Sequence, residues 1–172
     1  MSRATPTGRE SPFNEDEIIV TKTDTKSNIT YANEVFLRVS HLTREQALGQ
    51  PHNIIRHPNM PGCIFQLMWQ TIQGKGEFFG YVVNLASNGN HYWVFAHVTA
   101  SLDPAGNLVG FHSMRRKPEP AQVAKIQPIY QALLAEESRH TDRRQGMAQA
   151  RTMFNRMLSE KQVTYDEFAF SL

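Results

Sequence analysis

Three apolar stretches in the second half of the chain have the length and composition of strands: Phe78 to Ala86, His91 to Ser101, and Leu108 to Arg115. The first two flank Asn88-Gly89, whose chemistry predicts a type I′ hairpin, and the last two flank Asp103-Pro-Ala-Gly106, so a three-stranded meander is expected. Upstream, Ile18-Ile19-Val20-Thr21 and Ile29-Thr30-Tyr31 enclose the turn residues Asp24 to Asn28 and predict another hairpin. Between these groups the period changes to that of helices. Asn33 is placed to cap a helix with Val35, Phe36 and Val39 on one face, and Thr43-Arg-Glu-Gln46 has the spacing of a capping box before a short helix that stops at Gly49. Ile64, Phe65, Leu67, Met68 and Ile72 recur at helical spacing up to Gly74. Two strands, several short helices and three strands predict an α+β fold.

The two ends differ from this middle. Residues 1 to 14 are rich in Thr, Ser, Pro, Gly and Arg without periodicity and predict a mobile N-terminal arm. Residues 15 to 118 form the expected single domain, and 119 to 172 a helical extension. In the extension Ile126, Ile129, Tyr130, Leu133 and Leu134 make one stripe, and Met147, Ala150, Phe154, Met157 and Leu158 a second. The polar run between them leaves either one long helix or two helices broken near Gly146. The second stripe calls for something to cover it: the chain's own sheet, a second copy in a homodimer, or a helical segment of a partner. Tyr165, Phe168 and Phe170 show no periodic partner.

With 172 residues, 40% hydrophobic and 20% charged, and a net charge of +2, the chain has room for one real core and lacks the basic field of a nucleic-acid binder. The single cysteine, Cys63, excludes an internal disulfide and a multi-cysteine cluster and fits a cytoplasmic protein. No run reaches transmembrane length, so a tie to a membrane is expected only through a partner.

Candidate chemistry concentrates in Gln50 to Pro61, QPHNIIRHPNMP, where the prolines oppose regular structure. Arg56 in such a stiff loop suits a diphosphate, which favours a fixed bidentate cation; it equally suits a helix carbonyl or a surface carboxylate. His52 and His57 suit a phosphate or ring edge, haem iron, or backbone carbonyls of the loop. Phe79, Tyr81, Trp93 and Phe95 lie on adjacent strands, as core or as aromatic pairs. Trp69, with Met68 and Phe65, suits either plain core or one wall of an apolar slot. No phosphate loop, nucleophile elbow or zinc-ligand helix is present, so the chain does not read as an enzyme and no metal site is expected.

The segment GQPHNIIRHPNMP, the GKGE at Gly74 to Glu77 and NGNHYWV at Asn88 to Val94, in this order of elements, resemble the flavin-binding PAS domain of bacterial aerotaxis receptors and their stand-alone relatives, over about residues 14 to 134. The resemblance implies a five-stranded antiparallel sheet with short helices on one face. It also implies non-covalently bound FAD and relay of its redox state to a chemotaxis transducer. By family position Arg56 would meet the phosphates, with His52, His57 and Asn59 beside it, Phe79 would face the flavin ring and Asn84 its pyrimidine edge; Trp69 and Trp93 would complete the walls. Asn59 stands where the family has Asp, and Phe79 where it has Trp. A haem-based gas sensor and a cofactor-free PAS adaptor are the alternative readings.

Overall fold

A computed structural model describes residues 4–172. Its strands are β1 (Ile19–Thr23), β2 (Ile29–Ala32), β3 (Glu77–Leu85), β4 (His91–Leu102) and β5 (Leu108–Arg116). They form one antiparallel five-stranded sheet in the order β2-β1-β5-β4-β3, so the early hairpin adds to the later meander through β1 and β5.

All three hairpins turn in the same way. Asp24–Asn28, Ala86–Asn90 and Asp103–Asn107 each close with a hydrogen bond from the fourth residue's N–H to the first residue's carbonyl. That fourth residue is left-handed in each case: Ser27 at φ 68°, Gly89 at 87° and Gly106 at 81°. The expected type I′ turn at Asn88-Gly89 is therefore replaced. Type I′ needs positive φ at both central residues, and only Gly89 has it; one left-handed residue after a type I turn gives a longer loop with the same strand twist.

The helices are α1 (Glu34–Ser40), α2 (Arg44–Ala47), α3 (Gly62–Gln73), α4 (Pro120–Ser138), α5 (Arg143–Glu160) and α6 (Tyr165–Ser171), with a 3-10 turn at His52–Ile55. The Asn33 side chain accepts from Phe36 N–H, capping α1, and from Val20 N–H, while its amide donates to the Ile18 carbonyl, which ties the start of α1 to β1. Both halves of the Thr43–Gln46 capping box are made.

The chain divides into two compact units. One runs up to His57 and resumes at Thr71–Pro118; the other joins Pro58–Gln70 to Glu119–Leu172. The helical extension expected at 119 to 172 thus gains a segment from the middle of the chain. A long-range contact accounts for this: Glu137 near the end of α4 accepts from the N–H groups of Gly62 (3.1 Å) and Cys63 (2.8 Å), supplying the cap that the start of α3 lacks in its own sequence.

Within this second unit Gly146 does not break a helix. The break falls at 139–142, and Gly146 lies inside α5, where a Cβ would stand 2.5 Å from the Glu137 carbonyl oxygen; its role is to let α4 and α5 approach. The second apolar stripe is largely spent here, with Ala150, Phe154 and Leu158 buried. Phe154 meets Tyr165 and Phe168 of α6 edge-on at 6.0 and 5.7 Å, so the terminal aromatics have partners after all. Burial and the Glu137 carboxylate push the Cys63 thiol up to about 12, which keeps it protonated and inert.

The expected mobile arm also differs. Its residues 1–3 lie outside the described residues, but beyond them the chain is tied to the first unit: Thr7 N–H donates to the Gly89 carbonyl, Ser11 N–H to His91, and Ser11 Oγ to Val39. Phe13 is buried, with Lys117 Nζ 5.9 Å from its ring centre. Polar composition suggested freedom; hydrogen bonds to backbone groups of the β3–β4 hairpin, mostly its carbonyls, remove it.

Candidate functional site

Strand alternation sorts the first unit's sheet into two faces. In register, Asn84 pairs with Tyr92, Val82 with Val94, and Phe78 with Val98; Gly80 pairs with Ala96, then Arg115 and Ile19 across the sheet. Thr21 and Thr23 share this face, which we call the inner one because Phe36 of α1 and His52 lie against it. At Gly80 and Ala96 the sheet presents only a hydrogen and a methyl, a bare strip between polar groups.

Those polar groups are buried. Arg115, 3% exposed, donates through Nη2 to Thr21 Oγ1, which is 3.0 Å from His52 Nε2; its guanidinium carbon lies 5.4 Å from the centre of the Phe36 ring. Burial, and then the Arg115 charge, push the His52 imidazole down to about 3, so it is neutral at physiological pH. Burial lowers Arg115 only to about 10, so the guanidinium stays charged. Tyr92, beside it in the field, is raised by burial. Within the structure Arg115 Nε and Nη1, the Tyr92 hydroxyl, Thr23 Oγ1 and Asn84 Nδ2 are buried without a hydrogen-bond partner. Such groups are costly unless something accepts from them.

The sequence-selected residues fall into three sets. Arg56, His57, His52 and Asn84 all lie in the first unit. The 3-10 turn ends at Arg56, whose N–H donates to Asn53, and Arg56 then forms an isolated antiparallel bridge with Asn84, bringing the proline loop onto the edge strand β3. His57 is buried with its ring 6.3 Å from that of His91, and His52 holds Thr21. Phe79 and Trp93 form the second set and lie on the outer face, away from Asn84. Phe79 stacks on His97 at 4.4 Å, and His97 pairs with Glu77 at 2.6 Å; Trp93 is in register with Val83 on the same side. An aromatic ladder of Tyr81 and Phe95, 4.9 Å apart, continues this face, with Arg116 over Phe95. The expectation that Phe79 and Asn84 look at one ring fails on parity, since an odd step along β3 leads from one to the other; Phe78 is the β3 aromatic on the Asn84 face. Asn59, in the turn after Pro58, and Trp69, half-buried on α3, belong to the second unit.

Arg115 and Tyr92 were not expected. The available signal was the alternation Phe111, Ser113, Arg115, which places a charge on the face of a buried aromatic.

Five antiparallel strands with short helices on one face and unpartnered buried donors on that face make up the architecture of the first unit. The family model of the PAS fold matches residues 29–115, and the chain belongs to that family. It is 37% identical over 129 residues, 75% of this chain, to the aerotaxis receptor of Escherichia coli (strain K12), of which it spans 25%. To the nitrogen fixation regulatory protein of Klebsiella pneumoniae it is 33% identical over 99 residues, 58% of this chain and 20% of that protein. The chain thus spans a quarter or less of these relatives. Among solved structures, the dark structure of the blue-light photoreceptor Aureochrome1 LOV superposes with a TM-score of 0.58 at 20% identity, covering 67% of this chain and 85% of that one, and shares the fold. Among the described residues no helix is long and apolar enough to cross a membrane.

Proposed function

We propose that this chain is a redox or energy sensor of the aerotaxis type, which holds FAD non-covalently and passes its redox state through protein contacts to a chemotaxis transducer. The observation that carries this reading is Asn84: a buried amide with Nδ2 unpartnered, bridged through its backbone to Arg56. The donor set fits the group. Arg56 supplies the bidentate cation for a diphosphate, His57 and His52 supply neutral or polar edges, and the strip at Gly80 and Ala96 leaves the sheet flat beside them. Asn59 and Trp69 belong to the second unit, and Phe79 and Trp93 are assigned to outer-face packing. When bound, FAD supplies the reversible electron chemistry that side chains lack.

The chain's own part is to bind, orient and report. An amide carries both a donor and an acceptor, so Asn84 answers a changed protonation state in its partner by rotating, and the bridge to Arg56 passes that rotation to the proline loop. Relatedness to an aerotaxis receptor and to a regulatory protein supports a signalling output, here read as a cytoplasmic one that reaches the membrane only through its partner.

The purified full chain, incubated with FAD and desalted, is expected to keep the paired near-ultraviolet and blue bands of a flavin. Arg56→Ala is expected to weaken retention by roughly ten- to hundredfold, the value of one charge-assisted bidentate contact. A haem band, or no chromophore and no FAD uptake, overturns the proposal.

A further inference from the structure

Arg115 is a charge with too few partners. Its Nη2 reaches Thr21 and its guanidinium lies over Phe36, yet Nε and Nη1 meet no acceptor among the described residues and the nearest titratable neighbours carry no negative charge: His52 is neutral and Tyr92 is held protonated. His112, also on β5, lies on the other face. No ion pair to Arg115 exists among the described residues. A guanidinium so placed destabilises the empty fold, because burial removes its hydration and no carboxylate replaces it. The Tyr92 hydroxyl, fully buried and also unpartnered, adds another donor on the same face. A positively charged fork with extra O–H donors and no acceptor is complementary to an electron-rich planar edge or an oxyanion.

We propose that Arg115, assisted by Tyr92, is a ligand-binding residue of the inner face, its free Nε–H and Nη1–H donating together to an acceptor edge of the bound cofactor. This rests on the FAD reading above and deepens it: Arg56 serves one end of the molecule and Arg115 another, and the second contact places a fixed positive charge where a reduced, more anionic cofactor is favoured over an oxidised one. Arg115 thereby sets the redox poise of the sensor as well as its affinity.

The test compares the full chain with Arg115→Met and Arg115→Lys, following thermal melting without cofactor, FAD affinity by fluorescence titration, and the reduction potential of the loaded protein against a reference dye. Because methionine is unbranched and flexible like the arginine stem but carries no charge to bury, Arg115→Met is expected to melt no lower than the wild type without FAD while losing at least about tenfold in FAD affinity and shifting the potential downward. Arg115→Lys keeps the charge and loses the fork, so its affinity falls and its potential moves less than that of the methionine variant. A lowered melting temperature with unchanged affinity and potential makes Arg115 a structural residue and overturns the proposal. If Arg115→Met does not fold, unchanged affinity and potential in Arg115→Lys overturn it equally. Failure of the wild type to take up FAD overturns this proposal together with the reading beneath it, whereas uptake by the wild type that neither variant alters overturns this one alone.

Discussion

The two faces of one sheet are built on opposite principles. The outer face is built from matched neighbours: Phe79 stacks on His97, His97 pairs with Glu77, Tyr81 meets Phe95, and Arg116 covers Phe95. On the inner face Arg115, Tyr92, Thr23 and Asn84 keep buried atoms without partners. The same strands carry both, so propensity does not explain the difference. Cross-strand pairing of the outer kind contributes stability directly. The inner arrangement costs stability, and on the function proposed above that cost is offset when a ligand accepts from these groups, as is common where unsatisfied groups cluster.

The largest expected effect breaks the comparison on the outer side. Phe95→Ala removes a buried ring together with its contacts to Tyr81 and Arg116, and is expected to cost about 3–5 kcal/mol in urea unfolding. Tyr92→Phe on the inner face removes only a hydroxyl that has no partner, so the cofactor-free protein is expected to lose nothing measurable. Comparable losses in the two variants would show that the faces do not differ in kind.

A smaller effect sharpens the inner side through pH. His52 titrates near 6.5 when unfolded and at about 3 when folded. Below pH 6.5 the unfolded chain therefore takes up a proton that the folded chain refuses. The stability contribution is complete above 6.5 and is lost as pH falls toward the folded value, at about 1.4 kcal/mol per unit at most. Cofactor-free protein is expected to lose about 2 kcal/mol from this group between pH 6.5 and 5, and His52→Gln to flatten that slope. His112, partly buried on the outer face and shifted in the same direction by burial and Lys22, is the control, and His112→Gln is expected to leave most of the slope in place.

How much of this was legible follows from the periods. The hairpins, the Asn33 cap and the Thr43 capping box were readable because each depends on neighbours within a few residues. The helix α6 was readable in the same way, since Thr164 and Glu167 have capping-box spacing, but its seven residues are too few for a periodic stripe. The loop residues Arg56, His52 and His57 stood out because prolines isolate them. Which face a strand residue occupies was also in the sequence: Phe79 and Asn84 differ by an odd step and cannot share one. Arg115 was hidden by company, since Arg116 and Lys117 follow it and make the end of β5 look like a solvated charge run. Alternation puts Arg115 on the face of Phe111 and Ser113, but that this face is the covered one depends on the pairing of β5 with β1 and β4, a long-range arrangement that local pattern does not encode. The union of Pro58–Gln70 with the C-terminal helices, through Glu137 at the start of α3, was out of reach for the same reason.

The smallest effect is a control that touches neither face. Ser27 holds a left-handed φ of 68° at the tip of the β1–β2 turn, where the equivalent residues of the other two hairpins are glycines. Its N–H donates to Asp24 and its carbonyl accepts from His52 N–H, so the turn also anchors the 3-10 segment that carries His52. For a residue with a Cβ this conformation costs roughly 1–2 kcal/mol, while glycine gives back about 0.4–1 kcal/mol through the greater freedom of the unfolded chain. Ser27→Gly is therefore expected to stabilise by about 0.5–1 kcal/mol in urea unfolding, with FAD affinity and the pH slope unchanged. A stabilised variant that binds FAD as before would show that backbone strain in this turn is separate from the inner-face cost; altered FAD affinity would mean that the turn sets the position of His52, and that the unsatisfied groups of the inner face extend their influence through the loop to the hairpin tip.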